Sequence, residues 1–417
     1  MRTRTENLVR NRGFRMLWAA ESVSQVGFMA AQTTVPLIAV ALLAVSPFEM
    51  GVLTAAGTIS FLLIGLPAGV WLDRLNVLRC LIWASLVRLA VISTVPIAIW
   101  AGFLSFPQLT TVVLIAGAAG VFFDVGYQSY VPRLVSRSSL VDGNGKLEAS
   151  RSTAQAAGPA LGGGLVQGVG GALAVGATAL CYAISSLILL RMRPVAGPPK
   201  DEERADRHLW REIREGLRFV STHRVLRSLT LCSASLLLFT GIANAVLVLF
   251  LARSLLLSSA EVGLVLAAGG LSGVLAGILV GRAGRIFGTA RLIWLAAGLT
   301  WPLAVLLPLS QAWGGVALFA VAWSVIGFGS VLFNVAQVSC RQALCPPGLL
   351  GRMNATVRFL TWSALPAGGL LGGVLGESWG IGTAFLVGAV GMGLSPLWLF
   401  FTPLWRMRDI PDRPDEG

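Results

Sequence analysis

Hydrophobic residues in this chain run in long blocks separated by short polar and basic breaks. Blocks lie near residues 15–44, 49–72, 79–100, 108–131, 147–169, 171–191, 226–251, 260–281, 290–309, 313–340, 352–376 and 380–402. Each approaches the ~20 residues that cross about 30 Å of hydrocarbon. The pattern predicts twelve transmembrane helices and an all-α membrane protein. Only a Gly-rich turn parts the fifth block from the sixth.

Residues 192–225 interrupt the pattern. Pro194, Pro198 and Pro199 and a charged cluster from Lys200 to Arg207 precede an amphipathic stretch. There Leu209, Ile213, Leu217 and Val220 share one helical face, while Arg211, Glu212, Arg214, Glu215 and Arg218 occupy others. This predicts a helix lying on the inner membrane surface. The chain then divides into an N-terminal six-helix bundle (1–192), a cytoplasmic linker (193–225), a C-terminal six-helix bundle (226–405) and a cytoplasmic tail (406–417). An internal repeat supports the division: Phe123-Asp124-Val125 matches Phe333-Asn334-Val335, and Gly145-Lys146-Leu147 matches Gly351-Arg352-Met353. Pro159 with Gly162 and Gly163 recurs as Pro366 with Gly368 and Gly369.

Composition agrees with lipid: 55% hydrophobic residues, 12% charged residues and a mean hydropathy of +0.77 are more than one soluble core can hide. The net charge of +13 follows from loop placement rather than from a nucleic-acid partner. With the N-terminus inside, the inner loops carry Arg74 and Arg79, Arg133, Arg137 and Lys146, then Arg282, Arg285 and Arg291, Arg341 and Arg352, and Arg406 and Arg408; Arg253 stands alone among the outer ones. Arg2, Arg4, Arg10, Arg12 and Arg15 precede the first block without a small-residue cleavage site, which reads as a retained cytoplasmic end. Cys80, Cys181, Cys232, Cys340 and Cys345 read as small core residues, and His208 and His223 suit neither a zinc site nor a catalytic triad. No nucleophile–base pair or phosphate-binding Gly-Lys-Ser/Thr loop points to an enzyme or to ATP-driven transport. No metal and no cofactor is expected.

The segment Gly69-Val-Trp-Leu-Asp73-Arg74-Leu-Asn-Val-Leu-Arg79, set between two apolar blocks, resembles the loop between helices 2 and 3 of the major facilitator superfamily of secondary transporters. A worn copy, Gly277 to Arg282, has Gly281 in place of the Asp. The resemblance covers essentially the whole chain. It implies two pseudo-symmetric six-helix bundles and a central cavity lined by spans 1, 4, 7 and 10. It also implies a gating role for Gly69, Asp73, Arg74 and Arg79, the Asp stabilising an outward-facing state near the start of helix 11. Topology alone would also account for Arg74 and Arg79.

Polar stripes mark those four spans: Glu21, Gln25 and Gln32; Gly117, Asp124 and Gln128; Thr240 and Asn244; Ser330, Asn334, Gln337 and Arg341. Gln25, Gln32, Gln128, Thr240, Asn244, Asn334 and Gln337 are the candidate substrate-cavity residues. Ionisable groups inside the spans are Glu21, Arg88, Asp124, Arg151 and Arg358. At such depth a carboxylate either pairs with an Arg and stays ionised or, desolvated, exchanges a proton. Glu21 and Asp124 are therefore the proton-coupling candidates, with Arg88, Arg151 and Arg358 as buried charge partners. A fixed ion pair of Asp124 with Arg88 or Arg151 is an equally physical reading.

Gly158-Pro159-Ala-Leu-Gly162-Gly163 in span 5 resembles an element associated with antiporters of the superfamily. The basic residue usual early in helix 4 is missing here, since Gly117 to Gly120 hold no Arg. Arg10 to Arg15, Leu17-Trp18, Ser24 to Gly27, Phe123-Asp124 and Gly158-Pro159 are most similar to the drug-efflux, macrolide-efflux and siderophore-export branch. Trp18, Phe122, Phe123, Phe239, Trp323 and Phe333 suit a partly apolar substrate, and equally suit helix packing.

The resemblance implies a monomeric, multi-pass inner-membrane transporter with cytoplasmic termini, exporting a small amphiphilic compound by alternating access driven by protons. Its partners are that substrate, protons and membrane lipid, with no nucleic acid. Uptake by symport, lipid flipping, or a non-transporting membrane sensor are the alternatives.

Overall fold

The computed structural model describes residue 8 and residues 11–136, 139–195, 209–313, 315–346, 349–402 and 407–409. Among them every regular element is helical. The first six long helices are α1 (Arg12–Leu42), α2 (Pro47–Arg74), α3 (Val77–Trp100), α4 (Phe106–Leu134), α5 (Leu140–Val169) and α6 (Gly171–Leu190). A short α7 (Leu209–Thr222) leads to α8 (Arg224–Leu249), whose end widens into a π turn (Phe250–Ser254), and to α9 (Ser259–Phe287). Then come α10 (Thr289–Thr300), a 3-10 turn (Trp301–Val305), α11 (Leu306–Leu309), α12 (Gly315–Leu344), α13 (Leu350–Trp379), α14 (Ile381–Leu394) and α15 (Leu397–Phe400).

Eleven of the described spans are long and apolar enough to cross a membrane. The ninth and twelfth expected spans are composites. Pro302 and Pro308 interrupt the first, and Pro396 the second, because a proline cannot donate to the preceding turn. α5 has the length of a span but the Gly, Ser, Thr and Gln content of a packing helix. It begins at Leu140, not near 147, and Ser150 on it faces α1, accepting a hydrogen bond from Trp18 Nε1 at 2.8 Å.

Helix starts follow local chemistry. Asn11, Asn76, Ser105 and His223 each accept a backbone N–H of the first turn. Asn11 also donates to the Leu134 carbonyl at 2.8 Å, tying the start of α1 to the end of α4. α2 and α9 begin with capping boxes. Ser46 and Glu49 bond each other's backbone N–H reciprocally, as do Ser258 and Glu261. A residue of positive φ, Ala44 or Leu256, stands two positions before each serine. α10 has Gly288 at its start and takes its cap from the tail, where Asp409 Oδ1 accepts from Thr289 N at 3.0 Å.

By contact the chain forms two compact units. Unit 1 comprises Met1–Val45, Ala56–Lys200 and Leu257–Ala267; unit 2 comprises Ser46–Ala55, Asp201–Leu256 and Ala268–Gly417. In unit 1, α1 packs along α5 and α6, and α3 along α4 and α6. In unit 2, α8 packs along α13 and α14, and α10 along α12. Small residues set the closest approaches, as expected where lipid removes the hydrophobic drive between helices. A Cβ on Gly158 would stand 2.4 Å from Met29 Cβ, and one on Gly162 would stand 2.5 Å from the Ala30 carbonyl oxygen. In unit 2, Gly51 crosses α13 with Gly373 Cα 2.6 Å from its would-be Cβ. In unit 1, Gly163 meets the start of α9 at Ser259 and Gly263.

α7, the helix expected on the membrane surface, also packs against α13. Val220 is buried with Leu226, Cys345, Met353 and Val357, and Phe219 packs against them. Glu215 pairs with Arg352 in the first turn of α13, and Gly216 lies against Thr356 and the Arg352 carbonyl. Leu217 is exposed. The side chains of Leu209 and Ile213, and residues 196–208 with His208, lie outside the described residues.

Candidate functional site

Within unit 1 the polar residues of α1 turn inward. Glu21 is 3% exposed, and its Oε1 accepts from Gln25 Nε2, one turn on, at 2.8 Å. Its Oε2 is buried without a hydrogen-bond donor among the described residues. An oxygen so placed is the atom on which a carboxyl proton would sit, because only the acid brings its own hydrogen. The charges acting on Glu21 are those of Asp124 on α4, Arg88 on α3 and Arg151 on α5. Asp124 and Arg151 are half-buried, so this group reaches from the protein interior towards its surface.

Arg88 is 4% exposed. Its Nη1 donates to Ser24 Oγ at 3.0 Å, and its guanidinium lies 4.6 Å from the centre of the Phe123 ring and 5.2 Å from that of Tyr182. Phe123 thus serves a cation rather than an open cavity. The other aromatic candidates also pack helices. Phe122 stacks on Trp71, Trp301 meets Phe333 edge-on at 4.7 Å, Trp323 stacks on Phe319, and Phe239 fills the space beside Gly391.

Unit 2 presents a neutral counterpart. Asn11 and His223, Ser46 and Ser258, Glu49 and Glu261, Gly51 and Gly263, and Asn76 and Gly288 recur at one constant spacing. That register places Ser233 on α8 where α1 has Glu21, and Trp301 within one residue of the Arg88 position. The match of Phe123-Asp124 with Phe333-Asn334, two residues short of that spacing, pairs Asn334 with Asp124. Ser233 Oγ donates to Gln337 Oε1 at 3.1 Å, and Gln337 Nε2 donates to Asn334 Oδ1 at 3.3 Å. The repeated Ser-x-x-Glu-x-Gly pattern was available in the sequence as a capping signal, and reading it would have exposed this register.

The expected cavity residues separate into two sets. Gln32, Gln128 and Asn334 are exposed, and Thr240 and Asn244 are half-buried. Gln25 and Gln337 are buried instead, Gln25 bonded to Glu21 on its own helix and Gln337 to Ser233 of the neighbouring α8. Arg358 is exposed rather than buried, because Met353 and Val357 form the inward stripe of α13 and residue 358 lies about 100° round the helix from 357. Gly69, Asp73 and Arg74 lie in the last turns of α2, not in a loop; their side chains are outside the described residues. Arg79 is exposed in the first turn of α3, its N–H bonded to Asn76. Gly158, Pro159, Gly162 and Gly163 line the face of α5 that meets α1 and the start of α9.

An open groove of about 350 Å³ runs between α1 and α5, lined by Trp18, Ser22, Val26, Lys146, Ser150 and Thr153. The Lys146 ammonium stands 5.9 Å from the centre of the Trp18 ring, so an aromatic candidate and an inner-loop charge meet at one end of the groove. The signal for it was a Trp on the face of α1 next to the Glu21 stripe.

The family described as transmembrane secretion effector matches residues 6–414. Among similar proteins, the uncharacterized MFS-type transporter y4rN of Sinorhizobium fredii is 28% identical over 370 residues, 87% of this chain and 88% of that protein. The multidrug efflux pump Tap of Mycolicibacterium fortuitum is 27% identical over 389 residues, 88% of this chain and 90% of the pump. The crystal structure of the nucleoside transporter NupG superposes with a TM-score of 0.74 at 12% identity, covering 95% of this chain and 99% of that one. The inward-facing bacterial homologue of the iron transporter ferroportin gives 0.73 at 17% identity, over 94% and 98%. The family match over nearly the whole chain, with relatives that are MFS-type transporters and the shared fold, makes this chain a multi-pass membrane transporter of the transmembrane secretion effector family of the major facilitator superfamily.

Proposed function

We propose that this transporter exports small amphiphilic compounds, of the drug, antibiotic or siderophore-like class, in exchange for protons. It works by alternating access in the inner membrane, as a monomer with both termini cytoplasmic. The observation that carries the reading is Glu21: a carboxyl buried in unit 1, half-satisfied by Gln25, with no acid in its register position in unit 2. An intramembrane ionisable group is costly to keep and marks an ion pathway by default. Asp124, half-buried on α4, is the outer member of the same charge group. The neutral Ser233–Gln337–Asn334 chain of unit 2, with Thr240 and Asn244, suits substrate recognition by hydrogen bonding; in unit 1, Gln32 and Gln128 are the candidate substrate contacts. The similarity to a multidrug efflux pump supports export of varied substrates, and Gly69, Asp73 and Arg74 at the end of α2, with Arg79 at the start of α3, remain the candidates for gating.

The test is substrate-triggered proton flux in proteoliposomes holding the purified protein, comparing wild type with Glu21→Gln and Asp124→Asn. Antiport predicts opposite movement of protons and a hydrophobic cation, with proton flux reduced to background in Glu21→Gln. Substrate movement without proton flux, unchanged in both variants, would mark a facilitator or flippase instead.

A further inference from the structure

Among the described residues, Glu21 and Arg88 are the two charged side chains in the buried core. They are opposite in sign, belong to the same unit, and each has one polar atom without a partner, Oε2 and Nε. The helices that carry them pack mainly on other neighbours: α3 lies against α4 and α6, whereas α1 lies against α5 and α6. Arg88 reaches α1 by passing its guanidinium between Phe123 of α4 and Tyr182 of α6. The hydrogen bond at its end falls on Ser24, in the turn of α1 that also holds Glu21 and Gln25. Two aromatic faces favour a cation electrostatically and leave its N–H groups in the plane between them.

Other groups face Glu21 too. Asp124 and Tyr127 approach from α4 and Arg151 from α5, while Tyr182 on α6 faces Arg88, with Cys181 beside Tyr182. Asp124 and Arg151 are half-buried and open to screening by water, whereas Arg88 is enclosed. An arginine keeps its charge at any working pH. Arg88 is therefore the constant charge in a group whose other members can change state or be screened. In unit 2, Trp301 packs against Phe333 close to the corresponding position.

We propose that Arg88 is a positioning residue for proton exchange at Glu21: Phe123, Tyr182 and Ser24 hold a permanent cation beside the α1 carboxyl, which stabilises the ionised state of Glu21 once its proton has left. The inference rests on the reading that Glu21 carries the proton. It assigns the counter-charge to α3, not to α4 or α5.

Two readouts test it. The first is ethidium-triggered proton flux in proteoliposomes as a function of pH for wild type, Arg88→Met and Arg88→Lys. The second is infrared titration of the Glu21 carboxyl band, identified by its loss in Glu21→Gln, in purified protein that need not transport. Loss of a nearby cation favours the protonated acid, so Arg88→Met moves both midpoints up by about one pH unit, while Arg88→Lys stays close to wild type. A lowered maximal rate with unmoved midpoints, or a lysine variant that shifts as far as the methionine one, would overturn the proposal and leave Arg88 a packing residue. If wild type shows no titrating band that Glu21→Gln removes, the Glu21 reading itself fails and this proposal with it. A band present in wild type and unmoved in Arg88→Met defeats only the role of Arg88.

Discussion

A buried carboxyl with one donor and one bare oxygen is a poor structural choice, because an uncompensated buried anion is expensive. Gln25 supplies a single N–H to Glu21, and Glu21→Gln keeps that shape while removing the titration. The variant is therefore expected to fold with a melting temperature at or above that of wild type, measured in detergent, while losing proton coupling. Asp409 makes a second residue-scale case. Its carboxylate caps α10 from a distant part of the chain, so Asp409→Ala is expected to cost about 1 kcal/mol and to lower the melting temperature, whereas Asp409→Asn retains the cap. The sequence marked Glu21 as a charge on a cavity-type helix, because a lone acid among apolar residues stands out. It did not mark Arg88 as the partner of two rings, nor Asp409 as a cap, because both depend on contacts between segments far apart in the chain.

At the scale of the helix, glycine crossings and caps decide how elements meet. Gly51 lies against Gly373 within unit 2, and Gly163 against Gly263 within unit 1, with no room for a side chain at either crossing. Gly51→Val or Gly263→Val forces backbones apart; the expected cost is about 1–3 kcal/mol of overpacking, read as a lower melting temperature together with reduced transport. The α8 cap adds a pH dependence. Burial lowers the pKa of His223, whose neutral Nδ1 accepts from Leu226 N. A depressed folded value means that the stability it contributes is present above the unfolded value near 6.5 and is lost as pH falls through the lower folded value. Thermal unfolding between pH 7 and pH 5 should therefore fall more steeply for wild type than for His223→Asn, which caps without titrating. Helix existence was legible throughout from apolar run length. The breaks at Pro302, Pro308 and Pro396 and the early start of α5 were less so, because hydropathy averages over them. The docking of α7 onto α13 was hidden, because an amphipathic pattern reports an apolar face but not whether lipid or protein covers it.

Across the whole molecule, one repeated plan carries two different chemistries. Capping boxes, positive-φ joints at Gly170 and Gly380, and glycine crossings recur in both halves of the sequence. The polar interior does not recur: Glu21, Asp124 and Arg88 in one unit correspond to Ser233, Asn334 and a position beside Trp301 in the other. The repeat was visible in the sequence through Phe123-Asp124 and Phe333-Asn334, and family membership rests on a match over nearly the full chain. What the repeat means for function lies in its departures, and these become legible once the capping boxes fix the register. With the proton proposed at Glu21 in unit 1 and Gln337 of unit 2 proposed as a substrate contact, Gln337→Ala is predicted to change which compounds are exported while leaving the pH midpoint of proton flux in place.

The central claim is that proton movement is tied to substrate movement through Glu21. The direct measurement imposes a proton gradient across proteoliposomes and follows both proton flux and the movement of a hydrophobic cation, for wild type and for Glu21→Gln. The account predicts gradient-driven accumulation of the cation in wild type, and only passive equilibration in the variant. Accumulation of equal extent in both would contradict it.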